Sequence, residues 1–188
     1  MKKVMALILA ATMVLCMMGC GGTKETGATV SERSQLIVGF DAEYPPYGYQ
    51  DENGDYVGFD LSLAQEVCDR NGWELVKQPI NWDSKDMELE SGSIDCIWNG
   101  FTITGREEDY TWSDPYVNNS IVVVVNEDSD IQSKADLADK VVATQAGSSA
   151  LAALTDDSED NAENLALTAS FAELQEIADY NTAFMNLE

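Results

Sequence analysis

The stretch "QLIVGFDAEYPPYGYQDENGDYVGFDLSLAQEV", Gln35 to Val67, decides the fold. Gln35 to Phe40 is a short β-branched run ending at Gly-Phe-Asp, which reads as a first strand. Pro45 and Pro46 fix φ and restrict the residues before them, so "YPPYGY" is an extended loop. "DENGDYVGFD" sets Asn53-Gly54 between Tyr-rich flanks, a strong local hairpin signal. Its Asp51, Asn53 and Asp55 mimic half of a calcium loop, but Tyr56 at the sixth position and Ser62 at the twelfth argue against a metal site. Leu61, Ala64, Val67 and Cys68 then recur at helical spacing until Asn71-Gly72 stops the helix. A strand, a turn-rich excursion and a covering helix open an α/β domain.

The alternation continues outward. Trp73 to Val76 reads as a strand, Ser84 to Glu90 as a helix and Ile94 to Trp98 as a strand, which predicts a mostly parallel sheet covered by helices. "SIVVVVNED", Ser120 to Asp128, reads as a strand buried on both faces or crossing between lobes. After it the theme restarts. A short helix is expected at Lys134 to Ala138, a strand at Val141 to Thr144, and a helix from Ser148 after the turn "QAGSSA". Asp156 to Asn164 reads as an acidic loop, Leu174 to Ile177 as a strand, and the residues from Thr182 as a helix. "WDSKDMELE", Trp82 to Glu90, is echoed by "YNTAFMNLE", Tyr180 to Glu188, with aromatic, Asp or Asn, Ser or Thr, Met and Leu-Glu in register.

Composition narrows the function. The 188 residues are 45% hydrophobic, enough to bury a core. Ten Lys plus Arg against 34 Asp plus Glu give a formal charge of -24, which repels phosphate backbones and excludes nucleic acid as a natural partner. The chain contains no histidine, so Ser-His-Asp triads, Cys-His pairs and His-ligated zinc are excluded by inventory.

The N-terminus reads as an export signal: basic Lys2 and Lys3, an apolar run from Val4 to Met18, then small residues. "MMGCGG" places Gly19 before Cys20 and resembles a bacterial lipobox, in which Cys20 is the lipid-modified residue; a plain signal peptide or a membrane helix is the simpler alternative. Residues 1–20 are thus expected to be a lipoprotein signal peptide, and polar residues 21–34 a flexible tether. Without Lys2 and Lys3, 8 basic residues against 34 acidic leave a charge of -26. Cys68 and Cys96 sit in the apolar patterns "LAQEVC" and "IDCIW", so two buried thiols are expected rather than a disulfide.

Five stretches together resemble the bacterial extracytoplasmic solute-binding proteins of family 3, which capture polar amino acids for ABC importers. They are "VGFDAEYPPYGY", "GDYVGFDLSLAQEV", "GSIDCIWNGFTITGRE", "YTWSDPY" and "VVATQAGSSA", and they run in the family's order. The resemblance implies an α/β, two-lobed periplasmic-binding-protein (Venus-flytrap) fold, with lobe one at 35–120 and an incomplete lobe two at 121–188. The family continues past Leu187-Glu188 into a Gly-x-x-Asp-Ala strand bearing a ligand-binding carboxylate, so the chain is expected to be a C-terminal truncation. By resemblance, the family's Thr-Ile-Thr is commonly followed by two residues and then Arg; here a single residue, Gly105, separates Thr104 from Arg106.

A zwitterionic amino acid needs a cation for its carboxylate and acceptors for its ammonium, in a cleft dry enough to strengthen both. Arg106 is the only Lys or Arg between Lys85 and Lys134, and its planar fork suits a carboxylate bidentately. Its simpler reading is a solvated arginine paired with Glu107 or Glu108. By resemblance, Asn99, Gly100 and Thr102 hold the ligand's α-carbon end, and Ser148 and Ser149 cap the carboxylate from the opposite lobe at a helix start. Also by resemblance, Tyr44 and Trp82 wall the side-chain pocket and Asp41 supplies a polar contact. As bare patterns, Gly147-Ser148-Ser149 is a helix N-cap and the two aromatics are core or surface residues. The implied mechanism is hinge closure with no catalytic residue, metal or cofactor, a permease and a lipid-anchored membrane as partners, and a monomeric protein. Three rivals remain: a sensory module binding the same ligands, a non-functional fragment, and a dehydratase-like enzyme using Glu43 or Asp41 as acid.

Overall fold

The computed structural model describes residues 33–187. Cys20, the signal segment and most of the tether therefore lie outside the described residues. Strand β1 (Gln35–Phe40) is the centre of a parallel sheet, flanked by β5 (Glu74–Pro79) and β6 (Cys96–Ile97). Gln35 pairs with Glu74, Phe40 with Pro79, and Val38 with Cys96. A strand with neighbours on both edges and a covered face needs a continuous apolar run, and Val38 and Phe40 are fully buried. Strand β5 runs three residues beyond the expected Val76, and Pro79 is tolerated because β5 is an edge. Strand β6 is shorter than Ile94 to Trp98, although Asp95 and Trp98 extend its ladder by donating to Ile37 and Gly39 of β1.

Helix α1 (Phe59–Asn71) lays Leu61, Ala64 and Cys68 on this sheet and ends at Gly72, which takes the left-handed conformation. Val38, Phe40, Leu61 and Ala64 form the core cluster, with Leu36, Leu75, Cys96 and Trp98 packed against it. Burial of each large apolar side chain there contributes about 1.5–3 kcal/mol. Cys68 and Cys96 carry thiols, and burial pushes the Cys68 thiol pKa up. The hairpin forms as the sequence predicts. Strand β3 (Gly48–Gln50) pairs with β4 (Tyr56–Val57) across the Asn53-Gly54 turn, and β2 (Glu43–Tyr44) completes a small antiparallel sheet. The Asp51 carboxylate accepts from the amides of Asn53 and Asp55, both at 2.9 Å, so it folds the turn itself.

Helix α2 (Lys85–Glu90) follows a 3-10 turn at Trp82–Ser84. The second half of the chain is built on β7 (Val141–Gln145) and β8 (Glu173–Ile177), parallel from Val141 opposite Glu173 to Gln145 opposite Ile177. Helices α3 (Ser149–Thr155), α4 (Ala162–Thr168) and α5 (Tyr180–Asn186) accompany it.

Four expectations change. Ser120 to Asp128 is not a strand: its residues make no ladder, and Ile121, Val122, Val123 and Val124 are 52–72% exposed. β-branched composition supplies propensity, but pairing makes a strand, and no described segment pairs with it. The acidic loop ends earlier than Asn164, because α4 begins at Ala162; Glu159, Asp160 and Glu163 sit in first turns, where the helix dipole favours acids. The helix expected at Lys134 to Ala138 is a 3-10 turn, Lys134–Leu137, closed by a capping box between Ser133 and Asp136. The last helix starts at Tyr180, two residues early, because the Asp179 carboxylate caps it through the Thr182 amide at 2.8 Å.

The internal echo is structural. Trp82 and Tyr180 each open a helical segment after a parallel strand, preceded by caps Asn81 and Asp179. The segments that follow β1, β5, β6, β7 and β8 all leave the carboxyl ends of parallel strands, the usual place for a ligand crevice in open α/β sheets.

Candidate functional site

Those segments converge on a narrow cleft, partly open to solvent, lined by Tyr44, Trp82, Asn99, Gly100, Phe101, Thr102, Arg106, Gln145, Ser148, Ser149 and Tyr180. Eight of the nine sequence-selected residues are in that lining. The ninth, Asp41, lies behind it. Asp41 is 5% exposed, and its carboxylate accepts from Gln145 Nε2 at 2.6 Å and from the Glu43 amide at 2.8 Å. Its own amide donates to Asn99 Oδ1 at 3.2 Å, so it braces the wall and ties β1 to β7.

Arg106 reaches the cleft because Gly105 adopts φ 79°, a conformation glycine takes freely, within a turn in which the Arg106 amide donates to the Ile103 carbonyl at 2.9 Å. The guanidinium sits 5.0 Å from the Phe101 ring centroid and donates through Nη2 to the Gly147 carbonyl at 3.1 Å. The simpler alternative, pairing with Glu107 or Glu108, is not seen: among the described residues Arg106 makes no ion pair. Among the described residues its guanidinium meets a carbonyl and an aromatic face rather than a carboxylate, and the rest of its fork remains able to take one.

The two serines differ. Ser148 Oγ accepts from the Leu151 amide at 3.1 Å, so this hydroxyl caps its own helix. Ser149 Oγ instead donates to Thr102 Oγ1 across the cleft at 3.3 Å, and Asn119 Nδ2 donates to the same oxygen at 2.9 Å. Gly100 holds its turn by donating to the Tyr116 hydroxyl at 3.2 Å, and that hydroxyl donates to Asp60 Oδ1 at 3.0 Å. Asp60 is fully buried in the first turn of α1, and its desolvation raises the carboxyl pKa. Burial likewise pushes the Tyr116 phenol up, and the Asp60 charge adds to it.

Aromatic rings form the walls. Tyr44 lies 5.5 Å from Tyr47 and 5.8 Å from Tyr180, while Trp82 meets Phe101 edge-on at 5.2 Å. Phe101, Gln145 and Tyr180 line the cleft but were not singled out from the sequence. The echo of Trp82 in Tyr180 was the available signal for one of them. Phe101 lies inside a motif whose polar members carry the recognisable chemistry, and Gln145 reads as an ordinary strand end.

Two halves face each other across this cleft, the arrangement of a two-lobed fold. The family description "Bacterial extracellular solute-binding proteins, family 3" matches residues 36–180, and the chain belongs to that family. It is 34% identical over 149 residues to the arginine-binding extracellular protein ArtP of Bacillus subtilis (strain 168), covering 79% of this chain and 57% of that protein. It is 33% identical over 121 residues to the L-cystine-binding protein TcyJ of Escherichia coli (strain K12), covering 63% of this chain and 46% of the relative. Among solved structures, a substrate-binding protein of an ABC uptake transporter from Streptococcus pneumoniae with bound histidine superposes with TM-score 0.72 and 34% identity, over 81% of this chain and 61% of that one. The chain thus spans roughly half to three fifths of the length of these relatives. The two-lobed fold is shared with them.

Proposed function

We propose that the chain is the capturing component of an amino-acid ABC importer, closing its lobes around one free amino acid and presenting the closed form to a membrane permease. Arg106 takes the ligand carboxylate. Asn99, Gly100 and Thr102 hold the α-carbon end, Ser148 and Ser149 cap from the second lobe, and Tyr44, Trp82 and Tyr180 wall the side chain. Lobe one corresponds to 35–120 and the second-lobe portion to 121–188. The protein acts as a monomer, tethered outside the cytoplasmic membrane through a lipid on Cys20. The observation that carries this reading is Arg106: a cation aimed into an aromatic-walled cleft with no acidic partner among the described residues.

Closure follows from contacts that already cross the cleft, namely Arg106 to Gly147, Ser149 to Thr102, and Gln145 to Asp41. An amino acid bridging the same groups stabilises the closed form by its differential affinity for it. A thermal-shift screen of the full chain against the twenty amino acids and cystine tests the reading. It predicts a rise in melting temperature with at least one of them, reduced in Arg106→Ala; equal shifts in the two proteins, or none with any ligand, would remove its basis.

A further inference from the structure

Helix α2 is inverted with respect to hydropathy. Met87 is 65% exposed, whereas Lys85 is 5% exposed. A lysine turned inward loses hydration, and an apolar residue would fill that position at lower cost unless the ammonium has a partner that matters. Its neighbour in sequence does not account for the burial. The Asp86 carboxylate lies 3.7 Å from Nζ, beyond a good hydrogen bond, and is half-exposed. The hydrogen bond Nζ makes goes instead to the Gly147 carbonyl, at 3.4 Å and 62 residues away, on the turn that carries Ser148 and Ser149.

That carbonyl is held twice. Arg106 Nη2 donates to it at 3.1 Å, so two cations from the first lobe use one acceptor of the second. Gly147 is fitted to the arrangement: it adopts φ 64°, and a Cβ on it would stand 3.2 Å from Lys85 Nζ and 3.5 Å from Asp83 Oδ1. Lys85 Nζ also lies 5.4 Å from the centroid of the Trp82 ring, a wall of the cleft. Burial lowers the Lys85 pKa, as expected of an ammonium brought in against its solvation preference.

We propose that Lys85 is a positioning residue for the Gly147–Ser149 turn, docking the second lobe on the first independently of any bound amino acid. With the turn held by Lys85, Arg106 is able to give its fork to a ligand carboxylate without losing the register of Ser149 against Thr102. The proposal deepens the amino-acid-binding reading of the cleft and rests on it, but its test does not require a ligand.

Nitroxides coupled to p-azidophenylalanine at the exposed positions Asp69 and Glu163 report the distance between the lobes in the full chain by double electron–electron resonance. With no amino acid added, Lys85→Met is expected to shift population from the wild-type distance to a longer one. The ratio of open to closed molecules should rise about two- to tenfold, as for loss of one ordinary hydrogen bond. Lys85→Arg should restore most of the wild-type distribution. Where Lys85→Met melts too low to measure, Lys85→Gln serves for the same comparison. An unchanged distance distribution overturns the proposal, including when the melting temperature falls, since a merely structural lysine would alter stability without opening the lobes. A chain that binds no amino acid but opens in Lys85→Met retains this role for Lys85 and loses only the transport reading.

Discussion

Replacing Gln145 by methionine removes the best-buried polar link between the two halves of the molecule while keeping the length of the side chain. Gln145 is 3% exposed, and its Nε2 donates both to Asp41 Oδ2 at 2.6 Å and to the Ala178 carbonyl at 3.0 Å. The first bond is to a buried carboxylate and contributes about 1.5–3 kcal/mol, and the second, between neutral groups, about 0.5–1.5 kcal/mol. Asp41 keeps the Glu43 amide, so its charge is not left without a donor. The net loss is therefore roughly 2–4.5 kcal/mol, and for a chain of this size about 2–4 °C of melting temperature per kcal/mol gives a fall of roughly 4–18 °C. Calorimetric melts of wild type, Gln145→Met, Asp41→Asn and the double variant give both the loss and the coupling between the two residues. Coupling of about 0.5–3 kcal/mol is expected for groups in direct contact. A melting temperature within a degree of wild type, or a coupling of zero, would refute the claim that this pair docks β7 onto β1.

Phe40, fully buried at the centre of the first sheet, should cost roughly 3–5 kcal/mol on truncation to alanine, read from denaturant midpoints at constant slope. Val122→Lys should change stability by less than about 0.5 kcal/mol, because Val122 is 72% exposed; a loss of several kcal/mol in the same assay would restore the buried strand that the sequence suggested. Asp60→Asn tests the buried carboxyl beneath the Gly100 turn. Burial raises its pKa in the folded state, so its contribution to stability is complete below the ordinary Asp value near about 3.9 and is lost as pH rises through the raised value. The melting temperature of Asp60→Asn relative to wild type should accordingly increase between about pH 4 and pH 7, and a flat or falling difference contradicts the assignment.

Most of the first lobe was legible because its signals are local. Gln35 to Phe40 declares a strand by its short β-branched run, Asn53-Gly54 a hairpin, and Asn71-Gly72 a helix stop; each appears where expected, although the central place of β1 in its sheet did not show in the run itself. The run Ile121 to Val124 misled for the same reason. Four β-branched residues state a preference for extended backbone, but burial depends on a partner strand distant in sequence. The cleft was legible where polar residues follow strand ends in recognisable stretches, as with Asn99 to Arg106. It was not legible where a residue acts through a contact between lobes. Gln145 on Asp41, and Lys85 on Gly147, are separated by 104 and 62 residues, and no local pattern announces either. Hydropathy argued against Lys85, because a lysine on a short acidic helix reads as a solvated charge.

The central claim is that Arg106 holds the carboxylate of an amino acid in this cleft. Titration calorimetry of L-arginine, L-histidine and L-cystine into the full chain and into Arg106→Ala measures it directly. Binding of at least one at a single site is predicted, weakened in Arg106→Ala by roughly 10–150-fold, the equivalent of about 1.5–3 kcal/mol for a hydrogen-bonded charge. An amino acid that binds both proteins with the same affinity would contradict the account, as would the absence of binding to wild type by these three and by the remaining common amino acids.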